Sequence, residues 1–149
     1  CTMLRATCAI PLYFPAVQLS GGTFYDGGVA DPIPIVRSLH DGNERNLIVL
    51  TQPESYRKTL GRGVQFTAKW LKRKYPAMPK VLLERAKHYN ETVCFCHRLA
   101  ENKPQDTVLL QPEKSLNSFE KDVKKLEWGY EMGYNMTCAR MEQIKNLFR

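Results

Sequence analysis

Ala6-Thr-Cys-Ala-Ile-Pro-Leu-Tyr-Phe-Pro-Ala-Val17, followed shortly by Phe24-Tyr-Asp-Gly-Gly-Val-Ala-Asp-Pro-Ile-Pro-Ile35, is the stretch from which the rest of the chain can be read. Its second half seats Asp26 between two β-prone aromatics and two glycines, Gly27 and Gly28. Paired glycines let another group approach the backbone closely. A carboxylate on such a turn is presented at a sheet edge, where a hydroxyl can donate to it. Taken for structure alone, the spacing predicts a β-hairpin. Thr23–Tyr25 is one strand, Asp26-Gly27 the tight turn, and Val29 onward the return, because Asp-Gly between apolar runs is a strong hairpin signal. The first half predicts a short packed helix over Ala6 to Leu12, brought to an end by Pro11 and Pro15.

Further along, the pattern alternates helix and strand. A short helix is expected from Pro32 to His40, with proline at its start and Asp41-Gly42 at its stop. Leu47-Ile-Val-Leu50 is a continuous apolar run, as in a parallel strand covered on both faces. Residues 64–75 and 79–100 read as helices, the second with Leu82, Ala86, Tyr89 and Val93 on one apolar stripe. Thr107-Val-Leu-Leu110 is a second short strand, and two strands joined through helices imply a right-handed, doubly wound crossover. Asn117 and Glu120 fit a capping box for a following helix. Phe119, Val123, Leu126 and Tyr130 form that helix's expected buried face, with Gly129 and Gly133 at close contacts. A last helix from about Thr137 carries Met141, Ile144 and Phe148.

The opening pair of motifs resembles the patatin-like phospholipase family, in its bacterial branch. In that family a small-residue helix and a Phe-Pro-Pro-Val segment precede an Asp-Gly-Gly turn; this chain departs at Ala16, where the family often has a second proline. The run Glu120 to Gly133 looks like the C-terminal extension of the same branch. The resemblance implies a Ser-Asp catalytic dyad, with Asp26 as its carboxylate and Gly27 and Gly28 as the turn glycines. It also implies an α/β fold: the C-terminal part of a three-layer α/β/α sandwich over residues 1–53, and a family-specific α/β extension, helical toward its end, over 54–149. The substrate expected is a lipid ester or phospholipid. No metal or organic cofactor is required.

The nucleophile of such an enzyme sits in a Gly-x-Ser-x-Gly elbow. None of the five serines (Ser20, Ser38, Ser55, Ser115, Ser118) is so flanked, and no glycine-rich run suits an oxyanion loop. In the family both elements lie upstream, so the chain is expected to be the C-terminal part of a longer serine acyl hydrolase, holding the base and inactive alone. Two other classes stay open. One is a non-catalytic lipid- or protein-binding module of a pseudoenzyme, the other a basic nucleic-acid-associated domain.

Length and composition suit a folded domain: 149 residues, 43% apolar and 25% charged, with no apolar run long enough to cross a membrane. The five cysteines are odd in number and irregular in spacing, unlike a disulfide framework. They read as free buried thiols in a reducing, cytoplasmic compartment. Cys94-Phe-Cys96-His97 lacks the spacing and the second pair that zinc needs. His40, His88 and His97 lie far in sequence from any candidate nucleophile, and surface or capping roles are expected. Residues 57–88 hold ten Lys/Arg and one acid, Glu84, a local +9 against −2 for the remainder. Interleaved with Phe66, Trp70 and Tyr75, these cations suit peripheral contact with an anionic membrane surface better than nucleic acid, for which no module is present. A plain solvated helix face is the simplest alternative.

Overall fold

The computed structural model describes residues 1–149 as a mixed α/β chain, half of it helical, with two small two-stranded sheets. The elements run α1 (Thr2–Thr7), β1 (Val17–Leu19), β2 (Gly22–Phe24), α2 (Gly27–Ala30), α3 (Ile35–His40), β3 (Asn46–Val49), α4 (Arg62–Leu71), α5 (Met78–Asn102), β4 (Thr107–Leu110), α6 (Val123–Ala139) and α7 (Met141–Asn146). They form two compact units that interleave along the sequence. Cys1–Pro34 with Lys58–Val93 make the first, and Ile35–Arg57 with Cys94–Arg149 the second.

In the first unit, α1 starts and stops earlier than expected, and Leu12 turns the chain at a φ of 75° that no helix allows. A hairpin does form, but upstream of Asp26. Val17 pairs with Phe24, Gln18 with Thr23 and Leu19 with Gly22, antiparallel. The turn falls at Ser20-Gly21, where Gly21 and Gly22 have φ of 105° and 150° and carry no side chain to clash. With the turn spent there, Asp26 does not make a second one; it caps α2 instead, and Val29 is helical. Val29 packs with Ala68 and Leu71 of α4 and Leu82 of α5, joined by Val64, Tyr75, Met78 and Val81. Leu71, 2% exposed, contributes roughly 1.5–3 kcal/mol by its burial. A smaller cluster of Ala6, Ala9 and Val17, joined by Tyr25, sits under α1 and the hairpin.

In the second unit, β3 and β4 pair in parallel, Asn46 with Thr107 through Val49 with Leu110. The strand is not covered on both faces, as its apolar run suggested. Ile48 and Leu50 are buried while Leu47 and Val49 are exposed. Val108 and Leu110 pack with Ile144 and Leu147, joined by Met136. The expected face of α6 is likewise overturned: Phe119, Val123, Leu126 and Tyr130 are all exposed. Its inward side carries Gly129, Met132 and Met136 instead, spaced three and four apart. Leu116 lies where a Cβ on Gly129 would go, whereas nothing approaches Gly133. Asp122 is the cap of α6, accepting from Lys124 N; Asn117 and Glu120 brace the turn before it.

The long helix α5 belongs to the first unit up to Val93 and to the second from Cys94. Its predicted stripe holds, with Leu82 and Val93 buried and Ala86 and Tyr89 half-buried. The Asn90 amide clamps both main-chain groups of Lys58, at 2.9 and 3.0 Å.

Candidate functional site

Asp26 is half-buried at the start of α2, directly after the hairpin. Its main-chain N–H donates to Ala9 O at 3.0 Å, which ties the turn to the segment following α1. Its Oδ1 accepts from Gly28 N at 2.7 Å. That bond satisfies one of the free donors of a helix N-terminus. Oδ2 carries no hydrogen bond. One oxygen is thus fixed by the turn, and the other is left to accept from an incoming donor.

Both glycines are close-packed. A Cβ on Gly27 would lie 3.0 Å from Thr7 Oγ1, and one on Gly28 would lie 3.0 Å from Asp26 Oδ1 itself. Neither glycine has a positive φ, so the pair is set by close approach and not by backbone conformation.

Two residues reach this turn from far along the chain. Arg85 on α5 donates from Nε to Gly28 O at 2.8 Å. Tyr75 meets Tyr25 edge to face, ring centroids 5.3 Å apart. Burial first, then a hydrogen bond with Tyr75, pushes the Tyr25 phenol above the ordinary tyrosine value, which keeps it neutral beside the aspartate. Arg85, Tyr75 and Thr7 escape the sequence reading. Arg85 stands 57 residues from its partner, and its contact is with a main-chain carbonyl, which leaves no signature in residue type.

An apolar hollow of about 490 Å³ lies along the same segment, lined by Cys8, Ala9, Phe14, Pro15 and Val17 among others. Ala9 is common to the hollow and to the Asp26 turn.

The serines bring no nucleophile to Asp26. Ser38 donates to Asn46 Oδ1 at 2.7 Å within the second unit, and Ser20, Ser55, Ser115 and Ser118 are exposed. His40 lies beside Asp41 on the surface and His88 is exposed. His97 departs from the surface role expected. Its Nε2 is buried without a partner, and the ring borders a polar hollow of about 340 Å³ with Glu54, Glu101 and Arg140. All five cysteines are free, but only Cys96 is buried; its thiol is pushed up to about 11 by burial. No three His, Cys, Asp or Glu side chains converge as a metal site, and no helix is long and apolar enough to cross a membrane.

Comparison with known families divides the chain. The model described as patatin-like phospholipase matches residues 1–38, which take in α1, the hairpin, Asp26 and both glycines. The model described as a domain of unknown function (DUF6363) matches residues 75–149, beginning at the tyrosine that packs on Tyr25 and including Arg85. No curated protein matches the chain. Similar at its N-terminus to patatin-like phospholipases and matched through its C-terminal half, the chain belongs to the DUF6363 family.

Proposed function

We propose that this chain supplies the carboxylate of a Ser-Asp centre that hydrolyses lipid esters, phospholipids among them. The observation that carries the reading is Asp26, with Oδ1 bound to Gly28 N and Oδ2 open, on a turn held from both sides. The partial likeness to patatin-like phospholipases supports the same class of reaction. The adjoining apolar hollow suits an acyl chain better than a polar alcohol.

In this reading the nucleophilic serine comes from outside residues 1–149 and donates its hydroxyl hydrogen to Oδ2. As the serine oxygen attacks the ester carbonyl, the proton passes to Asp26. The departing alkoxide then takes that proton, leaving an acyl-enzyme. Water repeats the sequence in reverse and releases the fatty acid. An ordinary aspartate is a weak base, so direct contact and fixed geometry replace the histidine of a triad. The same reading makes residues 1–53 part of a three-layer α/β/α core, with 54–149 an extension to it.

Asp26→Asn in the full-length protein is the test. Asparagine caps a helix as well as aspartate does, so the fold and its stability persist while the base is lost. Ester turnover falls by at least ~10²-fold. Near-normal turnover by this variant refutes the assignment. A wild-type protein with no ester turnover reduces Asp26 to a helix cap.

A further inference from the structure

We propose that the outer face of α4 docks on an anionic membrane surface, with Phe66 and Trp70 entering the interface and Arg62, Lys69 and Arg73 holding lipid headgroups.

An ordinary surface helix turns its apolar stripe to the core and its polar residues to water. In α4 the inward side is satisfied in that way by Val64, Ala68 and Leu71. The outward side mixes cations with large exposed aromatics. Phe66 is 72% exposed and Trp70 64% exposed, one turn apart, and Leu60 just before the helix is exposed too. At 3.6 residues per turn, Arg62, Phe66, Lys69 and Trp70 share an arc of about 100°, and Arg73 follows in the turn after the helix. No acidic residue occurs between residues 57 and 83, and none of Arg62, Lys69 and Arg73 forms an ion pair.

Two unpacked aromatics ringed by cations have a specific use. Aromatic side chains gain by leaving water at the boundary between headgroup and acyl chain. Lysine and arginine stems lie along that boundary while their heads meet lipid phosphates. A nucleic-acid strand fits this face less well. A stripe on one convex helix offers no groove to follow a phosphate backbone, as single-strand binders do. Charge complementarity therefore selects an anionic lipid surface. The inference is independent of Asp26, because it concerns binding and not hydrolysis.

The experiment measures binding of the full-length protein to vesicles of phosphatidylcholine, with and without phosphatidylserine, across a range of salt. The expected result is tighter binding to the anionic vesicles, weakening as salt rises. Each cation changed to glutamine costs about fivefold in Kd, and Arg62→Gln, Lys69→Gln and Arg73→Gln together about a hundredfold. Phe66→Ser with Trp70→Ser weakens binding with little change in its salt dependence. Brominated acyl chains quench the part of the tryptophan fluorescence that Trp70→Phe removes. All these positions are exposed, and unchanged circular dichroism confirms that the variants fold. Indifference to lipid charge, indifference to the triple substitution, or a Trp70 unquenched in the bound state overturns the proposal. So does preferential binding to single-stranded DNA.

Discussion

Gly27→Ala and Gly28→Ala form a matched pair that separates the geometry of Asp26 from the stability of the turn. Each new Cβ stands 3.0 Å from an oxygen, a contact that forces the neighbour to give by a few tenths of an ångström. The neighbours differ. For Gly27 it is Thr7 Oγ1, which carries no hydrogen bond and turns away by rotation about one bond. For Gly28 it is Asp26 Oδ1, the atom that accepts Gly28 N at 2.7 Å. Both positions have backbone angles open to alanine, so each substitution gains about 0.4–1 kcal/mol by restricting the unfolded chain. At Gly27 that gain meets little opposition, and stability stays level or rises slightly. At Gly28 it is set against loss of the cap, about 1 kcal/mol and up to ~2, and the net is a loss of up to ~1.5 kcal/mol. Urea unfolding of the two variants measures these differences, and ester turnover of the full-length protein measures the rest. Gly28→Ala moves the carboxylate without removing it, so its turnover drops well below that of Gly27→Ala. Equal stability and equal turnover in the two variants would refute the argument that Gly28 is there to seat Oδ1.

Arg85→Met keeps the aliphatic stem and removes the donor to Gly28 O. A charge-assisted bond of this kind is worth about 1.5–3 kcal/mol, read as a lower urea midpoint at unchanged slope, and a midpoint identical to wild type means that the turn stands without it. Lys58 gives a pH-dependent prediction. Burial first, and then the charge of Arg85, hold its ammonium below the ordinary lysine value. Below that folded-state value both states are protonated and the penalty is fully present; it fades as pH rises through the folded value toward the unfolded one, about 10.4. Lys58→Met is therefore more stable than wild type at neutral pH despite losing the contact with the Tyr89 ring, and the advantage shrinks in alkali. A constant difference across that range contradicts the burial argument.

The residue type at the candidate site was legible in sequence, and its local setting was not. Asp26 stood out because a carboxylate beside two glycines after Phe14-Pro15 is a rare combination. Asp26-Gly27 is a strong turn signal, yet Ser20-Gly21-Gly22 competes for the same role and wins. Asp26 was then free to do what short polar side chains do well, which is to cap a helix. The strands at residues 46–49 and 107–110 were found to within a residue, since continuous apolar runs survive most contexts. Which side of α6 packs is not legible in its periodicity, for a physical reason. Periodicity weighs large apolar residues, whereas the real inner face uses a glycine to admit Leu116 and a methionine to reach the core. Burial of the cysteines is not legible either, because thiol burial follows tertiary context and only Cys96 falls on the packed side of α5.

The interleaving of the two units bears on the order in which the protein can fold during synthesis. The apolar strand from Asn46 to Val49 leaves the ribosome long before its partner, which begins at Thr107. At about 5–20 residues per second, that strand waits about 3–12 s for the first residue it pairs with. Meanwhile Val29 has no core until Leu71 and Leu82 follow it out. Helix α5 serves both units in turn, belonging to the first up to Val93 and to the second from Cys94. Nascent chains from which Asn46–Val49 has emerged and Thr107–Leu110 has not should therefore expose Leu47, Ile48 and Val49 together, a window in which a holding chaperone has most to grip. The division into units is one of space and not of sequence, and neither unit can be excised as a single stretch of chain.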